Sequence, residues 1–191
     1  MNIAIFASGA GSNAAKIIDH FRGHSSIKVR LVVCNREGAG VLSIARNAGV
    51  PILLIEKERF FRGDSYIPEL QTAGIDFIIL AGFLWKIPVT LLNEFPAHIL
   101  NIHPALLPKY GGKGMYGNYV HQSVIENKDP ESGISIHVVD EVYDHGDVIF
   151  QAKTPVTKDD TPESLAKKIH VLEHEYYPRV IENWLMGMAS S

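Results

Sequence analysis

"NIAIFASGAGSNAAKIIDHF", residues 2–21, decides the fold class. Ile3 to Ala7 is apolar without alternation, as in a strand buried on both faces. A glycine turn follows, and Ser12 or Asn13 is placed to cap a helix. In that helix Ala14, Ile17, Ile18 and Phe21 recur at helical spacing. A buried strand, a glycine turn and an amphipathic helix form the opening unit of a doubly wound α/β sheet. Gly9, Gly11 and Ala14 fit the G-x-G-x-x-G/A pattern. Glycines there let backbone N–H groups approach an anion, and the helix N-terminus adds partial positive charge. A dinucleotide site also needs an acidic residue at the end of the second strand. Here that strand ends Cys34-Asn35, and Glu37 lies past the turn. The turn therefore reads as a monophosphate site with Ser12 and Asn13 as added donors, ahead of a nicotinamide site or a turn without ligand. Ser8 and Ser12 suit the phosphate better than they suit nucleophilic roles, since neither has a base nearby in sequence.

Outward from this unit the same rhythm continues. Val29 to Cys34, Ile52 to Ile55, Phe77 to Leu80 and Ile99 to Ile102 read as strands. Helices are expected over Val41 to Ala48, somewhere in Asp64 to Ala73, and over Val89 to Phe95 behind Pro88. This alternation predicts a mostly parallel, doubly wound, Rossmann-like sheet in the N-terminal half. After residue 102 the rhythm changes. Tyr119 to Asn127 reads as a helix, "GISIHVV" alternates, and "VIFQAKTPV" is a further strand. Two strands with no helix between them pair antiparallel. "TPES", 161–164, opens a long last helix with Thr161 as cap and Pro162 at its first position. Ser164 in place of Glu or Gln makes this less than a strict capping box, and Pro178 is expected to interrupt or end the helix.

Composition fits one domain over residues 1–191, and its rhythm changes after residue 102. The chain is 46% hydrophobic and 20% charged, with net charge −3. No basic stripe with interleaved aromatics is present, which disfavours a nucleic-acid partner. The single cysteine, Cys34, allows no intrachain disulfide and reads as a buried structural thiol. That usage fits a reducing cytoplasm. The N-terminus lacks the basic region of a signal peptide. No apolar run approaches the ~18 residues of a membrane span.

Asn101 and His103, in "NIHPALLPKYGGKGMYG", 101–117, stand at the carboxyl end of a parallel strand, where open α/β sheets place their sites. Two residues apart in extended chain, they point the same way. Pro104 keeps His103 extended and Pro108 stiffens the turn. An amide N–H beside an imidazolium suits an oxyanion forming on a carbonyl. By composition alone the loop holding Asp140, Glu141, Asp144 and Asp147 reads as a solvated acidic turn. The remaining histidines, His137 and His170 among them, show no metal-ligand spacing, and no metal is expected.

"FASGAGSN", "AGFLWKIP", "NIHPALLPKY", "GISIHVVDEVYDHGDVI" and "LEHEYYP", in this order, resemble the phosphoribosylglycinamide formyltransferase family of the formyltransferase superfamily. The resemblance runs over essentially the whole chain, residues 1–191, and implies a nucleotide-binding half, 1–102, and a folate-binding and catalytic half, 103–191. It implies a formyltransferase fold that moves a formyl group from 10-formyltetrahydrofolate to the amine of N1-(5-phosphoribosyl)glycinamide in de novo purine synthesis. It implies no metal and no nicotinamide. Both substrates are small molecules, and the chain is expected to be a monomer or weak homodimer. Residue by residue, it assigns the ribonucleotide phosphate to Gly11, Ser12 and Asn13 and the ribose to Glu173. The folate goes to Leu84, Trp85, Lys86 and Ile87, to the loop Asp140, Glu141, Val142, Tyr143 and Asp144, and to Asn101, with Arg62 or Arg59 at the folate tail. Leu84-Trp85-Lys86 departs from the family's frequent Met-Arg. Catalysis falls to Asn101, a protonated His103 and Asp144, with Asp144 keeping His103 charged. The resemblance also implies a cis peptide before Pro108, and the glycines of "GGKGMYG" suggest a loop that closes over substrate. Within the same chemistry, methionyl-tRNA formyltransferase would call for a further C-terminal domain and a basic surface. Formyltetrahydrofolate hydrolase would call for an N-terminal regulatory domain. Neither is expected here.

Overall fold

The computed structural model describes residues 1–189. In chain order the elements are β1 (Asn2–Ala7), α1 (Ser12–His20), β2 (Lys28–Cys34), α2 (Gly40–Asn47), β3 (Ile52–Leu54), α3 (Lys57–Arg62) and α4 (Ile67–Thr72). Then come β4 (Phe77–Leu80), α5 (Val89–Glu94), β5 (Ile99–His103), α6 (Asn118–Glu126), β6 (Glu131–Val138), β7 (Val148–Pro155) and α7 (Pro162–Ala189). The strands form one sheet in the order β3-β2-β1-β4-β5-β6-β7. The first five run parallel. β6 is antiparallel to both β5 and β7. The order reverses between β1 and β4, and the crevice outside their carboxyl ends is where such sheets bind ligands.

Side-chain alternation along the buried strands feeds two cores. On one face Ile3, Ile5 and Ala7 of β1 pack with Ala14 and Ile17 of α1, Val41 of α2, and Ile169, Tyr177 and Ile181 of α7. On the other, Ala4 and Phe6 pack with Phe60 of α3, Leu70 of α4 and Leu91 of α5. This double burial explains why β1, β2 and β4 read as apolar runs rather than alternating strands. Cys34 is fully buried, and its Sγ–H donates to the Arg36 carbonyl at 3.3 Å.

Four local features differ from the sequence reading. The N-cap of α1 is Gly11, in the left-handed region at φ +83°, and no side chain caps the helix. A Cβ on Gly11 would lie 2.7 Å from the Val41 side chain, so close packing of α2 as well as backbone geometry demands glycine. α3 was not foreseen, because its six residues "KERFFR" bury only Phe60 and carry little periodicity. At the start of α7 the Thr161 N–H donates to Ser164 Oγ and the Ser164 N–H donates to Thr161 Oγ1. Ser164 thus performs the reciprocal role usually given to Glu or Gln. Pro178 lies inside α7 without ending it. Pro costs the helix one N–H bond, but Leu165, Ile169, Tyr177, Ile181 and Leu185 are all fully buried along the same helix and hold it against the sheet. The Tyr177 hydroxyl donates to the Leu80 carbonyl at 2.8 Å and lies 3.3 Å from that of Leu100. That bond fixes α7 to the carboxyl end of β4. It brings Glu173, one turn earlier, to the crevice.

Candidate active site

A cleft of about 840 Å³ opens over the carboxyl ends of β1, β4 and β5. At one end lies the turn Gly9 to Asn13, and at the other Phe83 to Ile87 and the loop Asp140 to Asp144. Asn101 and His103 form the floor between them, and Gly112 to Asn118 make a wall. Both halves of the chain contribute at both ends: Glu173 and His170 reach the phosphate-type turn from α7, while Leu84 to Ile87 face the 140–144 loop from the first half.

The β5–β6 register explains the floor. Asn101 pairs with His137 and His103 with Ser135, so these four side chains share one face of the sheet. Asn101 Nδ2 lies 3.0 Å from His137 Nε2. His137 Nδ1 lies 3.0 Å from the Val138 carbonyl, which only accepts, so the proton of the neutral ring sits on Nδ1. His137 Nε2 then accepts from the Asn101 amide, fixing which way that amide faces. Ser135 accepts from the Leu107 N–H at 2.9 Å and donates to the Ala105 carbonyl at 2.7 Å, holding the turn after β5. The Leu107–Pro108 peptide in that turn is cis.

His103 is 3% exposed. Its Nε2 lies 2.7 Å from the Tyr110 carbonyl, so Nε2 donates and Nδ1 carries the lone pair of the neutral ring. Asp144 Oδ1 is 3.5 Å from His103 Nδ1 and 3.6 Å from His137 Nε2, and Asp144 Oδ2 accepts from the Gly112 N–H at 2.9 Å. Burial pushes the His103 pKa below its ordinary value, against the opposing pull of Asp144 and the Tyr110 carbonyl. Burial also pushes the Asp144 carboxyl up, but the Gly112 N–H and the positive charge His103 carries when protonated act with the other contacts to hold it below the usual carboxylate range. Burial thus opposes the expected charging of His103, while Asp144 beside it favours the charged ring.

At the phosphate-type turn, Asn13 Nδ2 donates to Glu173 Oε2 at 2.9 Å, and His170 Nδ1 meets the same oxygen at 2.9 Å. Glu173 is 6% exposed. The Glu173 hydrogen bond raises the His170 pKa. Ser8 was grouped with the phosphate, but its oxygen accepts the Leu84 N–H at 3.0 Å and ties the 84–87 segment to β1. At the other end, Leu84, Trp85, Lys86, Ile87, Asp140, Val142 and Tyr143 line the cleft. Trp85 packs within an aromatic cluster with Phe60, Phe61 and Phe83. The Lys86 ammonium lies over the Tyr143 ring at 5.9 Å.

Glu141 and Arg62 do not line the cleft. Arg62 is exposed on α3 and pairs with Glu58, while Arg59 is held by Asp64 and Glu69. His137, His121 and His170 are site residues outside the motif reading. For His137 the available signal was alternation: Ser135 and His137 form a polar face in a strand whose other face is apolar. Among the described residues no group of three or more His, Cys, Asp or Glu is arranged to hold a metal ion, and no helix is long and apolar enough to cross a membrane.

A family model described as formyl transferase matches residues 1–181. The chain is 43% identical over 185 residues to a chloroplastic phosphoribosylglycinamide formyltransferase from Arabidopsis thaliana, covering 94% of this chain and 63% of that one. It thus spans about three fifths of the length of that plant relative. The phosphoribosylglycinamide formyltransferase of Escherichia coli strain K12 is 36% identical over 187 residues, covering 95% of this chain and 85% of that one. Among solved structures, glycinamide ribonucleotide transformylase 1 from Symbiobacterium toebii superposes with a TM-score of 0.89 at 33% identity, covering 98% of this chain and 88% of that one.

Proposed function

The chain belongs to the formyl transferase family, and on that premise we propose that it transfers a formyl group from 10-formyltetrahydrofolate to the amine of glycinamide ribonucleotide, a step of purine synthesis. The observation that carries the reading is the sharing of one cleft by the glycine turn at the start of α1 and by Asn101, His103 and Asp144. A phosphate at the N–H groups of Gly11, Ser12 and Asn13 would anchor the ribonucleotide, and Glu173 would accept from its ribose hydroxyls. The folate would lie against Leu84 to Ile87 and Asp140 to Tyr143, with its formyl-bearing nitrogen over Asn101. The wall Gly112 to Gly117 would close over both.

The chemistry uses the neutral His103 ring that burial favours. The amine attacks the formyl carbon, a C–N bond forms, and the carbonyl π pair moves onto oxygen. An N–H of the Asn101 amide, oriented by His137, donates to that oxyanion. The neutral His103 ring takes the proton leaving the amine, and the new imidazolium is balanced by Asp144 at 3.5 Å. Collapse of the tetrahedral centre breaks the bond to the folate nitrogen, which receives the proton back from His103. No metal or nicotinamide enters these steps. Initial-rate assay with both substrates tests the proposal: formylated ribonucleotide should appear mole for mole with deformylated folate. Release of formate without a formylated acceptor would point to hydrolysis instead, and activity on neither substrate would overturn the proposal.

A further inference from the structure

Between the two ends of the cleft, α6 contributes one side chain that the steps above do not use. His121 lines the cleft yet is only 4% exposed. Its Nδ1 is sealed from solvent and has no hydrogen-bond partner among the described residues. No described residue bonds its other ring nitrogen either. Leaving a buried polar atom unpartnered costs ~1–3 kcal/mol, and such groups are rare enough in native folds to need a reason. Burial pushes its pKa down, Glu173 pulls it up, and His170 and His103 push it further down. His121 lines the same cleft as Glu173 and His170 and as Asn101 and His103.

We propose that His121 is a substrate-binding residue for the acceptor, hydrogen-bonding through its neutral ring the hydroxyl or amide groups that link the phosphate-bearing sugar to the attacking amine. This rests on the ribonucleotide reading of the cleft. The phosphate is met by the Gly11 turn and the amine by the Asn101–His103 floor, so the sugar and amide between them pass His121. A neutral imidazole suits uncharged hydroxyl and carbonyl groups, since it both donates and accepts. An acceptor there would meet Nε2, the ring nitrogen that is not sealed and that no described residue bonds.

The test uses the full chain with His121→Phe, His121→Asn and His121→Gln, each checked for wild-type circular dichroism. The two amides mimic the two ring nitrogens in turn. Glycinamide ribonucleotide, ribose 5-phosphate and a non-reactive folate analogue serve as calorimetric ligands. His121→Phe should weaken both phosphosugar ligands about tenfold or more, equivalent to ~1.4 kcal/mol, and leave folate within twofold. One of the two amides should recover most of that loss. Equal affinity in all three variants and wild type, or equal weakening of folate, overturns the proposal. Should His121→Phe fail to fold, ¹⁵N NMR of the wild-type His121 ring decides. A ring-nitrogen shift toward hydrogen-bonded values on adding ribonucleotide supports the proposal, and an unmoved resonance at saturation overturns it. If wild type binds no phosphosugar, the ribonucleotide reading itself fails, whatever the variants do.

Discussion

Replacing Asp144 by Asn keeps the shape of the side chain and removes one charge 3.5 Å from His103 Nδ1. The Asn oxygen can still accept the Gly112 N–H, and its NH₂ can donate to the neutral His103 lone pair, so the resting site should survive. What is lost is the partner of the imidazolium formed during transfer. At 3.5 Å the pair is worth ~1 kcal/mol with water-like screening and ~5 kcal/mol at an effective dielectric of about 20. The site is buried, with 4% and 10% of the two side chains exposed, so the true value lies above the water limit. We expect kcat to fall at least tenfold, ~1.4 kcal/mol of barrier. Affinity for the ribonucleotide, held elsewhere, should change little. The pH profile gives the sign. A neutral His103 is the active form, so kcat/KM falls as pH drops through its pKa, which burial places below the ordinary value. Asp144 raises that pKa, so Asp144→Asn must move the acid limb to lower pH. Steady-state kinetics across pH, together with NMR titration of His103, measure both effects. An acid limb and a His103 pKa that stay put, or rise, would refute the charge-balancing role and leave Asp144 as a loop-shaping residue.

His137→Ala should lower kcat about tenfold through a mispointed Asn101 amide, with both ligand affinities kept; unchanged kcat would show that Asn101 needs no such hold. Gly11→Val places a Cβ 2.7 Å from Val41 at φ +83°, and should weaken the ribonucleotide by about tenfold or more while folate affinity stays within threefold; equal loss of both by calorimetry would contradict a phosphate role for the turn. Arg62→Ala should leave the folate KM within twofold, because Arg62 is exposed and paired with Glu58; a large rise would place the folate tail across α3.

The half of the fold built from doubly buried strands was legible because an apolar run between turn residues leaves few alternatives. The pairing of β6 with β7 followed from the lack of a helix between them, and the structure adds that β6 also pairs antiparallel with β5. α3 was not legible, since a single buried Phe60 makes no pattern. Continuity of α7 through Pro178 depends on tertiary burial on either side of the proline, which local propensity does not contain. In the site, Asn101 and His103 stood out as a pair in one strand. The partners that set their chemistry, His137 across the β5–β6 ladder and the Tyr110 carbonyl seven residues on, are made by pairing and by the turn. The depth of burial that opposes a charged His103 is likewise set by tertiary packing and is not legible in the sequence.

The account stands or falls on whether one cleft holds both reactants with the amine and formyl carbon over Asn101 and His103. A crystal structure with glycinamide ribonucleotide and a non-reactive 10-formyltetrahydrofolate analogue measures this directly. The account predicts the phosphate on the N–H groups of Gly11 to Asn13, the pterin against Leu84 to Ile87, and the formyl oxygen within hydrogen-bond reach of the Asn101 amide. A phosphate bound elsewhere, or a formyl group turned away from Asn101 and His103, would contradict it.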